Sequence, residues 1–122
     1  MRTRIVLIDD NDVFRHALEM LLDLTDEFEI VASEPDGTRA GELCRELRAD
    51  VVLVDYRLPG LDGVQVTELI REECPEVAVV ALTAAAGRRE IEAMLDAGAV
   101  TCMRKDEPLD AIVQAIRAAA AS

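Results

Sequence analysis

The chain has 122 residues, and 51% of them are hydrophobic, which is enough to fill the core of one domain. Its 13 Lys and Arg residues against 25 Asp and Glu residues give a formal charge of −12, which disfavours direct binding to nucleic acid or to an anionic membrane. The apolar runs are far shorter than the roughly 18 residues of a membrane span, and no signal peptide begins the chain, so we expect a cytoplasmic protein.

Five short apolar runs along the chain indicate β-strands buried on both faces, as the strands of a parallel sheet are. A segment with apolar residues at helical spacing follows each run, so a strand and a helix alternate five times. Such repeats predict a parallel sheet between two layers of helices. The predicted strands cover residues 4–8, 28–32, 51–54, 77–82 and 99–103.

The helices are predicted from apolar stripes, which we expect to face the sheet, and from residues that begin or end helices. Asp36 and Gly37 precede the second helix, Asp62 caps the third, Pro75 ends it, and Gly98 follows the fourth. The stripes consist of Val13, Ala17, Leu18, Leu21 and Leu24; Ala40, Leu43 and Leu47; Val64, Val66, Leu69 and Ile70; Ile91, Met94 and Leu95; and Leu109, Ile112, Val113, Ile116 and Ala120.

Polar residues follow four of the predicted strands, and ligands of open α/β sheets bind beyond the carboxyl ends of the strands. They are Asp9 and Asp10 after the first strand, Asp55 after the third, Thr83 after the fourth and Lys105 after the fifth. Clustered carboxylates repel one another unless a cation neutralises them or one takes up a proton. Mg²⁺ suits such a cluster because it accepts one or two carboxylates and completes its coordination with waters and phosphate oxygens. The sequence therefore predicts a magnesium-dependent phosphoryl-transfer site.

Asp55 is the candidate nucleophile of this site. It stands alone at the end of a central strand, and the turn at residues 58–60 leaves it open to a phosphoryl donor. Lys105 would supply a positive charge for the phosphate, and Thr83 a hydrogen bond. Each of these residues taken singly is more often an ordinary solvated side chain, but their joint placement at strand ends favours the site.

Other residue types exclude other kinds of site. Cys44, Cys74 and Cys102 lack Cys-x-x-Cys spacing and are predicted to be free thiols in a reducing compartment. His16 is the only histidine and is expected on the exposed surface of the first helix, which argues against His-based zinc sites and Ser-His-Asp catalysis. No glycine-rich nucleotide-binding loop follows a predicted strand.

Four segments carry a resemblance to a known family: residues 6–11 (VLIDDN), 51–63 (VVLVDYRLPGLDG), 81–84 (ALTA) and 105–106 (KD). In this order, and each at a strand end, they resemble the receiver domain of bacterial two-component response regulators over essentially the whole chain. The resemblance implies a flavodoxin-like fold, a doubly wound five-stranded parallel sheet in the order 2-1-3-4-5 with five helices. It also implies that residues 1–122 form one receiver domain.

The resemblance further implies roles for the strand-end residues. Asp55 would accept a phosphoryl group from the phosphohistidine of a sensor histidine kinase, and the domain would be a phosphoacceptor switch that assists its own phosphorylation and dephosphorylation rather than an enzyme. Asp10, Asp55 and the backbone carbonyl of Arg57 would bind Mg²⁺, and Asp9 would act on the metal through water. Lys105 would hold the phosphoryl oxygens.

The implied switch involves the fourth and fifth helices and the fifth strand. Thr83 would turn inward to bond a phosphoryl oxygen beside the small Ala84, and the fourth helix, opened by residues 84–87, would be the mobile element. Cys102 stands where receivers commonly carry Tyr or Phe, which packs inward as the hydroxyl turns. The surface would then control an output domain or a partner, and a homodimer could form on activation through the first and fifth helices.

The residues around the lysine favour one branch of the family. Asp106 follows Lys105 where many receivers have proline, and the preceding Ala97-Gly98-Ala99 resembles the NarL/FixJ type, which carries a C-terminal helix-turn-helix DNA-binding domain. We expect no such output domain within this chain, and transcription as the regulated process.

Two alternative functions remain at this point. One is a receiver-like adaptor that binds its partner constitutively, which the atypical Cys102 favours mildly. The other is a magnesium-dependent aspartyl-phosphate hydrolase of the haloacid-dehalogenase type. Those enzymes carry Asp-x-Asp, whereas the residue two positions past Asp55 is Arg57.

Overall fold

Strands and helices alternate along the chain in the computed structural model, which describes residues 1–84 and 87–121. Since each strand is followed by a helix, the predicted order of elements is confirmed. The strands are β1 (Thr3–Ile8), β2 (Phe28–Glu34), β3 (Val51–Asp55), β4 (Ala78–Thr83) and β5 (Thr101–Arg104). The helices are α1 (Asp12–Asp23), α2 (Ala40–Glu46), α3 (Gly63–Glu73), α4 (Arg88–Ala97) and α5 (Leu109–Ala121).

The strands form a parallel sheet in the order β2-β1-β3-β4-β5, which confirms the expected topology. β3 lies in the centre, and all five of its residues are buried. Ile8 of β1 pairs with Val54 of β3, and Asp55 pairs with Leu82 of β4. The residues that end β1, β3 and β4 therefore meet at one edge of the sheet.

Two apolar layers cover the sheet, because alternate residues along each central strand face opposite sides. Along β1, Val6 and Ile8 belong to one layer, whereas Ile5 and Leu7 belong to the other. Helices α2, α3 and α4 contribute to the first layer, and α1 and α5 contribute to the second. Among the described helices, none is long and apolar enough to cross a membrane.

The predicted helix ends agree with the structure. The side chain of Asp62 accepts a hydrogen bond from the Gln65 backbone amide, and the side-chain oxygen of Gln65 accepts one from the Asp62 backbone amide, which is a capping box at the start of α3. Cys74 ends α3 directly before Pro75. Gly98 ends α4 with a φ of 118°, a left-handed conformation that favours glycine.

The predicted inner face of α1 is largely wrong. Val13 and Leu24 are 82% and 80% exposed, and Ala17 and Leu21 are also exposed. The buried residues of α1 are Arg15, Leu18 and Leu22, which share one face at helical spacing. Helical periodicity identifies apolar arcs, but the angle at which the helix docks on the sheet decides which arc is buried.

Smaller corrections concern the ends of other elements. Leu95 of α4 is exposed, and in α5 Ala119 is buried in place of Ala120. β4 extends from Ala78 to Thr83 rather than over 77–82. β5 begins at Thr101 rather than at residue 99, because the Ala99 amide bonds back to the Met94 carbonyl and closes α4.

Candidate functional site

Three carboxylates converge at the carboxyl ends of β1 and β3. Asp9 and Asp10 follow β1, Asp55 ends the neighbouring β3, and one carboxylate oxygen of each residue lies within 4.8 Å of the others. Asp9 is 0% exposed and Asp55 5% exposed, whereas Asp10 is exposed to solvent. The structure thus brings together the acidic residues that the sequence places at separate strand ends.

Lys105 brings a positive charge into this acidic cluster. Its Nζ atom lies 2.7 Å from Oδ2 of Asp9 and 3.2 Å from Oδ2 of Asp55, to which it donates a hydrogen bond. The Lys105 backbone amide donates to the Thr83 carbonyl over 2.8 Å, which ties the loop after β5 to the end of β4. The ammonium also lies 4.6 Å from the centroid of the Phe14 ring, close enough for a cation–π contact.

The electrostatics of the cluster favour an additional cation. Burial, and then the negative charge of Asp9, raise the pKa of Asp55 to about 6, although Lys105 acts in the opposite direction. Oδ2 of Asp9 is buried, and among the described residues only the Lys105 ammonium pairs with it. A single ammonium does not neutralise three carboxylates, so these oxygens fit a small divalent cation with oxygen ligands.

The loop between β3 and α3 packs closely against Asp55. The Arg57 amide lies 3.4 Å from Oδ1 of Asp55, and the Gly63 amide donates to the Tyr56 carbonyl over 2.9 Å. A Cβ atom on Gly63 would lie 2.4 Å from the Asp55 carbonyl oxygen, so only glycine permits this close approach. The start of α3 therefore packs directly against the backbone of Asp55.

The two predicted switch residues lie on neighbouring strands. Thr83 is the last residue of β4 and is buried. It comes directly after Leu82, which pairs with Asp55 across the sheet. Cys102 of β5 pairs with Ala81 and is partly buried against the layer formed by α2, α3 and α4. Ala84 is exposed, and residues 85 and 86 of the predicted mobile segment lie outside the described residues.

Sequence reasoning missed three residues that shape this site: Phe14, Arg15 and Gly63. Phe14 contacts Lys105, Arg15 contacts the backbone of Asp9, and Gly63 contacts the backbone of Asp55. Arg15 lies three residues before Leu18, a spacing that would have placed it on the buried face of α1. The contact of Phe14 with Lys105 joins residues that are distant in sequence and carries no local signal. Gly63 lies within the motif at residues 51–63, but the motif alone does not show its close approach to the Asp55 backbone.

Comparison with protein families matches residues 5–117 to the response regulator receiver domain. The chain is 37% identical over 113 residues to the transcriptional regulatory protein LnrK of Bacillus subtilis, which covers 93% of this chain and 51% of that protein. It is 30% identical over 117 residues to the nitrate/nitrite response regulator protein NarP of Escherichia coli, and this match covers 96% of this chain and 54% of that protein. The chain therefore spans about half the length of the curated relatives it matches.

Solved structures agree with this match. The signal receiver domain of the putative response regulator NarL from Mycobacterium tuberculosis superimposes with a TM-score of 0.93 at 31% identity, over 99% of this chain and 98% of that one. The response regulator domain of Thermotoga maritima CheB, at 23% identity and a TM-score of 0.90, shares the fold over 100% and 98% of the two chains. With the family match over residues 5–117, these likenesses show that the chain belongs to the receiver domains of two-component response regulators, which are signal switches rather than classical enzymes.

Proposed function

We propose that this receiver domain is a magnesium-dependent phosphoacceptor switch, in which Asp55 accepts a phosphoryl group from the phosphohistidine of a sensor histidine kinase. The observation that carries this proposal is the convergence of Asp55 with Asp9, Asp10 and Lys105 at one edge of the sheet. A nucleophilic carboxylate, acidic metal ligands and a cation for phosphate oxygens are the parts that phosphoryl transfer to aspartate needs.

The acidic cluster would hold Mg²⁺. Asp10, Asp55 and the backbone carbonyl of Arg57 are the proposed ligands, and Asp9 would act through water. The proximity of the three carboxylates, two of them buried, around a single ammonium supports this assignment. Bound Mg²⁺ would supply positive charge that offsets the negative charge of the incoming phosphoryl oxygens.

Asp55 would act as the nucleophile. An oxygen of its carboxylate attacks phosphorus, the oxygen–phosphorus bond forms, and the bond between phosphorus and the histidine nitrogen breaks, which leaves the histidine ring with the bonding electrons. Since the pKa of Asp55 is raised only to about 6, most of its carboxyl groups are ionised at pH 7 even without the metal. Lys105, already 3.2 Å from Oδ2 of Asp55, would pair with the phosphoryl oxygens.

The phosphoryl group would bias the surface formed by α4, β5 and α5. Thr83 would bond a phosphoryl oxygen, and Cys102 would occupy the space that an aromatic residue fills in other receivers. The output is a DNA-binding domain or a partner protein, with transcription as the regulated process, and activation would favour a homodimer. Support comes from the relatives, which are called transcriptional regulators and are about twice as long as this chain.

Intact-mass spectrometry with acetyl phosphate, a small-molecule phosphodonor, tests the proposal. The wild type should gain one phosphoryl group when Mg²⁺ is present, and Asp55→Asn should gain none. Asp26→Asn, which changes an exposed acid in the turn before β2, is the matched control and should be modified like the wild type.

The same experiment separates the alternatives. A folded wild type that binds Mg²⁺ but gains no phosphoryl group would favour a constitutive adaptor, and modification of Asp55→Asn to the full extent would refute the site. Continuous release of phosphate from a phosphate monoester over many turnovers would instead indicate a hydrolase.

A further inference from the structure

Arg15 is a buried charged residue for which the proposed phosphoryl chemistry gives no role. Arg15 is 6% exposed and lies on the face of α1 that packs against the sheet, together with Leu18 and Leu22. Burying a guanidinium group is unfavourable unless hydrogen bonds and opposite charges replace the lost water. The partners of Arg15 therefore show what this residue holds in place.

The guanidinium group joins three elements at the edge of the sheet that carries the acidic cluster. Nη1 donates to the backbone carbonyl of Asp9, and Nη2 lies 2.8 Å from Oδ1 of Asp12. Nε donates to Oγ of Ser33 near the end of β2 over 3.1 Å, and Nη2 lies 3.5 Å from Nε2 of His16. Arg15 thus links Asp9, the first residue after β1, and Asp12, the first residue of α1, to the neighbouring strand β2. We call residues 9–12, which join β1 to α1, loop 9–12.

This loop carries two of the three acids, and they are held differently. The carboxylate of Asp9 accepts a hydrogen bond from the Asn11 amide over 2.9 Å and pairs with Lys105. By contrast, no hydrogen bond or ion pair from the described residues fixes the carboxylate of Asp10, which is exposed. The position of the Asp10 side chain therefore depends on its backbone, between the two points that Arg15 anchors.

We propose that Arg15 is a positioning residue that fixes the backbone of loop 9–12, so that Asp9 and Asp10 face Asp55, and that it thereby sets the affinity of the site for Mg²⁺. The inference rests on the proposed magnesium-dependent function. Among the described contacts, no hydrogen bond or ion pair joins Arg15 to Asp55 or to Lys105, so Arg15 would act through the loop.

Magnesium titration of the apo protein tests this role. Calorimetry gives the dissociation constant, and the fluorescence of Tyr56 gives a second measurement, because Tyr56 is the only tyrosine, lies next to Asp55, and the chain has no tryptophan. Arg15→Met should weaken Mg²⁺ binding by about tenfold or more, as loss of a residue that orients metal ligands commonly does. Arg15→Lys keeps the positive charge but lacks the planar guanidinium group with its several N–H donors. Its dissociation constant for Mg²⁺ should lie between those of Arg15→Met and the wild type.

Arg4→Met is the matched control, because Arg4 ties the opposite end of the same strand. Its Nε atom donates to the Leu47 carbonyl over 2.8 Å, and its Nη1 atom lies 3.4 Å from Oε1 of Glu29. This variant should lose stability against urea while its dissociation constant for Mg²⁺ stays within about twofold of the wild type. A merely structural role of Arg15 would produce the same pattern as Arg4→Met.

The outcomes separate this inference from the function on which it rests. Unchanged Mg²⁺ affinity in Arg15→Met, or equal weakening in Arg4→Met, overturns the positioning role and leaves the metal site intact. A wild type that does not bind Mg²⁺ overturns the proposed metal site and this inference together. If Arg15→Met does not fold, Ser33→Ala removes one anchor of the guanidinium, and an unchanged affinity in this variant and in Arg15→Lys rejects the role.

Discussion

At the scale of single residues, the Asp55 carboxyl group lies among charges that do not balance. Its own burial and the nearby Asp9 disfavour the ionised form, and Lys105 compensates only in part. The pKa of Asp55 is therefore about 6, above the usual aspartate value of about 4. A group whose pKa is higher in the folded protein than in the unfolded chain reduces stability increasingly as the pH rises above the unfolded value, and by the full amount above the folded pKa.

Asp55→Asn should therefore stabilise the metal-free protein at pH 7.5, by about 2 kcal/mol. The gain arises because asparagine has no charge to bury. The difference in stability between the variant and the wild type should shrink as the pH falls from about 6 towards 4, because Asp55 of the folded wild type takes up a proton in this range. Urea unfolding followed by circular dichroism at pH 4.5 and 7.5 in EDTA measures it. A gain of equal size at both pH values would contradict the charge explanation.

Lys105→Met should have the opposite effect. It leaves the fully buried carboxylate of Asp9 without its ion-pair partner, so the free energy of unfolding should fall by about 3 kcal/mol in EDTA. Saturating Mg²⁺ should restore part of the loss, because a ligand that binds only the folded state stabilises it. Lys105→Arg, which retains a positive charge, is the control. If the free energy of unfolding falls as much in Lys105→Arg as in Lys105→Met, packing rather than charge is responsible for the loss.

At the scale of elements, the start of α3 is the segment most closely fitted to the site. The capping box of Asp62 and Gln65 fixes where the helix begins, and Gly63 lets its first turn touch the Asp55 backbone. Helix α3 and strand β3 thus meet without a side chain between them, and the position of one constrains the other.

Gly63→Ala should separate these two elements. The added methyl group would lie 2.4 Å from the Asp55 carbonyl and 2.8 Å from Cα of Tyr56, both of them backbone atoms that cannot rotate away. We expect a loss of about 2 kcal/mol in unfolding free energy, together with weaker Mg²⁺ binding. Urea denaturation and magnesium titration check the two effects.

Gly60→Ala is the control for this substitution. Gly60 has a φ of 73° but no heavy atom within 4 Å of an added Cβ, so alanine there meets only the backbone penalty, about 1 kcal/mol. Its magnesium affinity should stay close to that of the wild type. If the two variants behaved alike, backbone conformation rather than the close approach to Asp55 would explain the loss.

The elements also show what sequence patterns can and cannot predict. The order of strands and helices, the cap at Asp62 and the acids at strand ends follow from local signals and from the topology of parallel sheets. The inner face of α1 does not, because the exposed Val13 and Leu24 are as apolar as the buried Leu18 and Leu22. The proposed role of Arg15 depends in part on its contact with Ser33 of β2, and such a contact between a helix and a strand has no local signature.

At the scale of the whole molecule, the two apolar layers share one sheet. Each central strand sends alternate side chains into both layers, so we expect the two layers and the sheet to unfold in one transition. Among the cysteines, Cys44 and Cys74 are buried in the layer of α2, α3 and α4, and Cys102 is only partly buried. The thiols therefore report on the unfolding of that layer.

Thiol alkylation under native conditions should modify Cys102 first and leave Cys44 and Cys74 unmodified. Burial raises the pKa of all three thiols, that of Cys44 to about 12, so reaction requires exposure as well as thiolate formation. The urea dependence of alkylation at Cys44 and Cys74 should coincide with the loss of circular dichroism. Labelling of either residue well below that transition would show that the layer opens by itself.

The strand order also determines how the sheet can grow during synthesis. β3 adds beside β1, β4 beside β3 and β5 beside β4, so each of these strands joins a neighbour that has already been made. Asp9 and Asp55 can meet once β3 is in place, whereas Lys105 follows Asp55 by 50 residues. An intermediate in which β1 and β3 have paired before β5 is made would lack Lys105, and a proton on Asp55 or a cation from solution would relieve the repulsion between its carboxylates.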